Sequence, residues 1–154
     1  MKIKQTDLSY VSGIIDAEGC ICISRRSNKT GDTINYKAEL TTSMCDIHSI
    51  KFIQSLFGGN IRIGNGKRRD GRIRHNCYII SYSGSKMKRI LELTLPYIKV
   101  KQEQAKLAIK FIELKEKPTK KRKLFQTTDK KTLKLLKQYY IEVKRLKTSN
   151  WIKK

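Results

Sequence analysis

The chain has 154 residues, with 35 Lys or Arg against 13 Asp or Glu, a formal net charge of +22. That length supports one domain with a hydrophobic core, and an apolar fraction of 38% interleaved with charge excludes a disordered tail. So large a positive excess repels itself unless a polyanion is near, which makes nucleic acid the first candidate partner. Anionic membrane comes second, and no apolar run approaches the ~20 residues that cross a bilayer.

The opening MKIKQTDLSY lacks the apolar centre of a signal peptide, so the expectation is an intracellular protein that is not secreted. TDLSYVSGIIDAEG then carries Leu8, Val11, Ile14 and Ile15 at helical spacing behind a Thr6/Asp7 cap. CICISRR and INYKAELTTS alternate in period two around the turn-rich RSNKTGDT, which predicts a long hairpin. A second helix over DIHSIKFIQSLFGG has Asp46 as its cap and the Gly pair as its stop. The pattern then recurs. NIRIGNG and GRIRHNCYIISY form a second hairpin through KRRDG, with Asp70-Gly71 as the turn signal. SGSKMKRILELTLPYI is a helix ended near Pro96, and KVKQEQAKLAIKFIELK is another. Residues 116–128 read as a charged linker and 129–148 as a last amphipathic helix bearing Leu133, Leu136, Tyr140, Val143 and Leu146. The order predicts a mixed α+β domain, with a core over about 6–115 and one four-stranded antiparallel sheet.

Helices on one face of such a sheet leave the other bare. Alternation puts Ser24, Arg26, Lys37, Glu39, Thr41, Arg62, Arg72, Arg74 and Asn76 there. Asn28 lies at the basic tip RRSNK, and Lys67, Arg68 and Arg69 lie at the other tip. A β-ribbon fits the DNA major groove, where Arg, Asn and Thr read base edges. The face is therefore expected to bind nucleic acid, with the tip residues on phosphate. In the last strand the apolar Ile73, Cys77 and Ile79 argue that these three face the core and that Arg72, Arg74 and Asn76 face outward. Cys20, Cys22, Cys45 and Cys77, with His48 and His75, match no paired zinc knuckle. The cysteines read instead as reduced small hydrophobes.

Asp16 and Glu18 raise a separate question. They sit just before Gly19, which suits a left-handed helix stop. The C-terminal end of a helix carries partial negative charge, so an acid there costs up to ~1 kcal/mol. Two carboxylates would also repel a phosphate backbone, unless a divalent cation held by oxygen ligands reverses the sign and activates a water. Phosphodiester hydrolysis is the reaction that this pairing suggests. Ser12 and Gly13 are small residues inside the same apolar helix, and the Gly costs ~1 kcal/mol relative to Ala. Close approach of another backbone would account for that cost.

The stretch VSGIIDAEG, Val11 to Gly19, resembles the signature of the LAGLIDADG homing endonucleases, and LPYIKVKQEQAKLAIKFIE, Leu95 to Glu113, is similar to a second motif of that family. The resemblance implies an αββαββα core with extra C-terminal helices and signature helices that pair across an interface through Val11, Ser12, Gly13 and Ile15. It implies metal binding by Glu18 with the carbonyl of Ala17, a basic catalytic role for Lys101 and a structural role for Asp16. The cofactor would be Mg²⁺ or Mn²⁺, with Ca²⁺ able to occupy the site without supporting cleavage. With one copy of the signature the chain would act as a homodimer on a long, near-palindromic double-stranded DNA target, leave short 3′ overhangs and be encoded within an intron or similar mobile element. One departure is plain: many relatives carry Gln near the start of the second helix, where this chain reads SMCDIHSIK, leaving Met44, Cys45, Asp46 and His48 as occupants. Two rival readings use the same fold: an RNA-binding intron maturase, and a DNA-binding regulator without catalysis.

Overall fold

A stripe of Leu8, Val11, Ile14 and Ile15 with the small Ser12 turns one side of the first helix, α1 (Gln5–Glu18), into the interior. A computed structural model describes residues 3–27, 34–64, 77–116 and 130–149. The helix begins one residue before Thr6, with Lys4 at the cap and no side-chain capping bond. After α1 come β1 (Gly19–Ser27), β2 (Ile34–Met44), α2 (Ile47–Phe57), β3 (Ile61–Gly64), β4 (Cys77–Ser83) and α3 (Gly84–Thr94). Beyond this αββαββα core lie α4 (Gln102–Glu116) and α5 (Lys130–Ser149). The fold is α+β, as the order of patterns predicts.

The sheet runs in the order β1-β2-β4-β3 with every neighbouring pair antiparallel. Its interior face carries Ile21, Ile23, Tyr36, Ala38, Leu40, Ile80 and Tyr82, all buried. Against these pack Ile50 and Ile53 of α2, Met87, Ile90 and Leu91 of α3, and Phe111 and Ile112 of α4. Burial of each such side chain stabilises the fold by about 1.5–3 kcal/mol. Leu136 and Val143 of α5 close the β1 end of this layer, with Tyr140 beside Tyr36 at 5.6 Å between ring centroids.

Polar groups drawn into the core are matched. Ser12 is fully buried, and its hydroxyl contacts the carbonyls of Leu8 at 2.6 Å and Thr94 at 3.1 Å, pinning α1 to α3. Asp46 caps α2 as expected, accepting from the N–H of His48 at 3.1 Å and of Ser49 at 2.8 Å. Gly58 and Gly59 stop that helix at φ of 63° and 115°, conformations that L side chains rarely adopt.

Gly19 departs from expectation. Its φ is −75°, so the end of α1 is not a left-handed stop. The glycine is required by contact instead: a Cβ there would lie 2.6 Å from the Ile15 carbonyl oxygen and 2.8 Å from its Cα. The chain folds back so tightly on the last turn of α1 that only a hydrogen fits.

Candidate metal site and nucleic-acid face

Residues 99–101, immediately before α4, lie beside the end of α1 and form a reciprocal joint with it. The Asp16 carboxylate accepts three consecutive backbone N–H groups, from Lys99 at 2.6 Å, Val100 at 3.2 Å and Lys101 at 2.9 Å. Successive N–H groups at a helix start make an anion-binding concavity. In return the Lys101 ammonium donates to the carbonyls of Ile15 at 2.9 Å, Asp16 at 2.6 Å and Ala17 at 3.4 Å, among the last of α1, where the Ile15 oxygen also accepts from the Gly19 N–H. The acid at the unfavourable end of α1 is thus stabilised by the three backbone N–H groups of the segment that leads into α4. Partial burial pushes the Asp16 carboxyl up, and the three N–H groups and the Lys101 charge outweigh it, holding it below the ordinary range. Burial pushes the Lys101 ammonium down, against the opposing pull of Asp16, Cys20 and Glu18.

Glu18 is different. Its carboxylate is exposed and makes no hydrogen bond or ion pair among the described residues. With the exposed Ala17 carbonyl it offers hard oxygen donors, which suit Mg²⁺ or Ca²⁺. One chain supplies too few ligands to enclose an ion: the described residues contain no group of three or more His, Cys, Asp or Glu able to hold one. Water, phosphate or a second chain would have to complete the shell.

The bare sheet face begins at this end of α1. Ser24 pairs with Lys37, Cys22 with Glu39 and Cys20 with Thr41, and these residues share the polar face with Arg26 and Arg62. Lys37 and Glu39 form an ion pair at 3.2 Å, Thr41 and Ser81 hydroxyls meet at 3.0 Å, and the Arg62 guanidinium reaches Ser81 at 3.1 Å. Lys147, near the end of α5, brings its ammonium to 3.1 Å from the Cys20 sulfur. Hydrogen bonding with Cys22, helped by Lys147 and Lys101, pulls the Cys20 thiol down to about 5 although burial opposes it. The sequence does not announce this approach, because Lys147 is one of many lysines in α5 and its partner lies on β1.

The family described as LAGLIDADG endonuclease matches residues 11–106, from the middle of α1 to the first turns of α4. The chain belongs to that family. It is similar to the homing endonuclease I-CvuI in complex with the I-CreI target in 2 mM Mg, the DNA not cleaved, at 26% identity over 92% of this chain and 82% of that one, with a TM-score of 0.69. The archaeal intron-encoded homing endonuclease I-Vdi141I, complexed with DNA, shares the fold at TM-score 0.72 and 16% identity, over 92% of this chain and 84% of that one. The homing endonuclease I-TnaI shares it at 0.63 and 22% identity, over 96% of each chain. No curated protein matches the chain.

Within the LAGLIDADG signature the burial pattern corrects one expectation. Val11, Ser12 and Ile15 are each at most 1% exposed, covered by the chain's own core, and present no surface to a second copy. Gly13 is exposed, with nothing within 4 Å of the Cβ it lacks. Ser9 and Ala17 are exposed at four-residue spacing on either side of it, so the outward face of α1 is Ser9, Gly13 and Ala17. That spacing was present in the sequence as the signal for this face.

A second correction concerns β4. Its interior residues are Tyr78, Ile80 and Tyr82. Cys77, Ile79 and Ser81 stand on the polar face, with Ile79 opposite Ser43 and Arg62. Ile79 lies over Gly64 there, its Cδ1 2.8 Å from where a Cβ on the glycine would be. Interior burial of Cys77 and Ile79 therefore gives no support to an outward Arg72, Arg74 and Asn76. Those three, with Asn28, Lys67, Arg68 and Arg69, lie outside the described residues.

The cysteines are free, as expected, but they do not fill the core. Cys20 and Cys45 are exposed, Cys22 and Cys77 are half-buried, and all belong to the polar side of the sheet. Of the four residues weighed for the missing Gln, Asp46 is committed to capping α2 and Met44 packs against the core. Cys45 lies within electrostatic reach of Glu18.

Proposed function

We propose that the chain is a metal-dependent, site-specific double-stranded DNA endonuclease that works as a homodimer. What chiefly supports this is the contrast at the end of α1: Asp16 is consumed by the joint with residues 99–101, while Glu18 two residues on is exposed and makes no hydrogen bond or ion pair among the described residues. The Lys101 ammonium offsets the helix end without bonding to the Glu18 carboxylate, whose oxygens stay open to a cation.

Glu18 and the Ala17 carbonyl would hold the ion. When bound, a divalent cation polarises a phosphate oxygen and favours the ionised form of its water. Lys101, fixed against the last carbonyls of α1, holds positive charge beside the same carboxylate, where it stabilises charge that develops on phosphate. Pairing of two chains across Ser9, Gly13 and Ala17 would bring two Glu18 carboxylates to one two-fold axis, one for each DNA strand. Ser24, Arg26, Lys37, Glu39, Thr41 and Arg62 would lie in the major groove, and the neighbouring basic segments would hold phosphate.

The deciding experiment is plasmid nicking and linearisation by purified protein with Mg²⁺, beside an EDTA control and the Glu18→Gln variant. Cutting that requires Mg²⁺ and is lost in Glu18→Gln, with duplex binding retained, is expected. Full cutting by Glu18→Gln would refute the assignment. Duplex binding without any cutting by the wild type would leave the non-catalytic regulator, and preference for folded RNA over duplex would leave the maturase.

A further inference from the structure

The ladder between β2 and β4 ends at Met44 opposite Tyr78, and the next pair of positions, on the same diagonal, is Cys45 and Cys77. Their sulfurs are 3.6 Å apart, both as free thiols. Each backbone adjoins regular structure. Cys77 is held on its other side by pairing with Gly64, and Cys45 stands between the last rung of β2 and the capped start of α2. Directly opposed residues of neighbouring antiparallel strands have Cα atoms about 4.5–5.5 Å apart, within the range that a disulfide spans. Rotation about the side-chain bonds is then enough to join the sulfurs.

Cys20 and Cys22 provide the internal contrast. They also share a face and their side chains hydrogen-bond, but they follow one another along one extended strand, where residues two apart lie roughly 6.6 Å from each other. That is at the outer limit for a disulfide, and their strand is paired along its length to β2.

We propose that Cys45 and Cys77 form a dithiol modification site that exchanges with small-molecule disulfides of the glutathione type to close a cross-strand bridge on the polar sheet face. One protein thiolate attacks a sulfur of the small disulfide, forming a mixed disulfide and releasing one small thiolate. The second protein thiolate attacks the protein-bound sulfur of that mixed disulfide, forming the bridge and releasing the other. Two protein thiols are oxidised and one small disulfide is reduced to two thiols, which take up the two protons.

The bridge would cross the face at the end nearest Glu18. If that face binds DNA, which rests on the function proposed above, a bound duplex covers both sulfurs and only the DNA-free protein is open to exchange.

The test incubates the full chain with oxidised glutathione and maps the unreduced peptides by mass spectrometry. A Cys45–Cys77 linked peptide, with the intact chain lighter by two hydrogens, is expected. Cys20→Ser should leave it unchanged, and Cys45→Ser or Cys77→Ser should each abolish it. Because the linked peptide is read in the wild type, misfolding of a variant does not obscure the result. No bridge, a bridge confined to Cys20 and Cys22, or stable glutathione adducts on Cys45 and Cys77 without closure would each overturn the proposal. A parallel sample saturated with plasmid DNA at low salt should bridge severalfold more slowly. An unchanged rate there, with the bridge still forming, would leave the dithiol site standing and count against the sheet face as the DNA surface.

Discussion

Replacing Asp16 by Asn isolates the joint between α1 and the start of α4. The carboxylate holds three N–H groups at 2.6 to 3.2 Å. A hydrogen bond to a charged group contributes about 1.5–3 kcal/mol when considered alone. Asn keeps one acceptor oxygen, so the variant loses the charge and sets an NH2 against at least one backbone N–H rather than losing all three bonds; with solvent screening of a carboxylate that is only partly buried, roughly 2–3 kcal/mol is the expected loss. For a chain of this size that lowers the melting temperature by roughly 5–10 °C. The pH dependence has a fixed sign. Asp16 titrates lower in the folded chain than its ordinary value of 3.8, so its stabilisation is complete above the unfolded pKa and disappears as pH falls through the folded one. Urea unfolding of wild type and Asp16→Asn should therefore show a constant gap from neutral pH to about pH 5 that narrows below about pH 4. A gap under about 0.5 kcal/mol at neutral pH, or one that stays flat into strong acid, would refute the joint as a charged clamp.

Lys101→Met should slow cleavage far more than it weakens duplex binding, and it should also lower stability by about 1 kcal/mol because the α1 carbonyls lose their donor; cleavage rate, binding titration and urea unfolding separate the three. Glu18→Gln should remove activity while changing stability by less than ~0.5 kcal/mol, because the Lys101 ammonium on the last carbonyls of α1 already offsets the unfavourable helix end; a larger loss of stability would mean that Glu18 has a structural partner. Gly13→Ala should stabilise the isolated chain by up to ~1 kcal/mol, and Gly13→Leu should leave the fold intact while light scattering shows dissociation; a stable dimer of the Leu variant would put the interface elsewhere. Arg62→Ala should relax base preference at one symmetric pair of target positions by ~1–3 kcal/mol, read by target-site profiling; an unchanged profile would remove Arg62 from base readout.

The order of elements was legible because apolar period switches cleanly between helix and strand along the chain. The phase of β4 was not. In CYIISYS one alternating set is Tyr78, Ile80 and Tyr82 and the other is Cys77, Ile79, Ser81 and Ser83, so the phase was carried by the two serines while the apolar Cys77 and Ile79 pointed the other way. The role of Asp16 is set by backbone groups more than 80 residues away, a contact no local pattern encodes. The outward face of α1 is not contiguous in the sequence. Helical geometry divides Val11 to Ala17 between the core and the outside.

Gly13 is a residue that the lone chain would be better without. Among the described residues a methyl group fits in the open space beside it, and the helix would be stiffer with alanine there. Selection acting on the single chain would therefore remove it by small steps. If pairing is what retains it, then drift at this position is a record of use: descendants that stop pairing are free to lose the glycine before their catalytic acids decay. Such copies would be recognisable by a more stable monomer with an otherwise intact site.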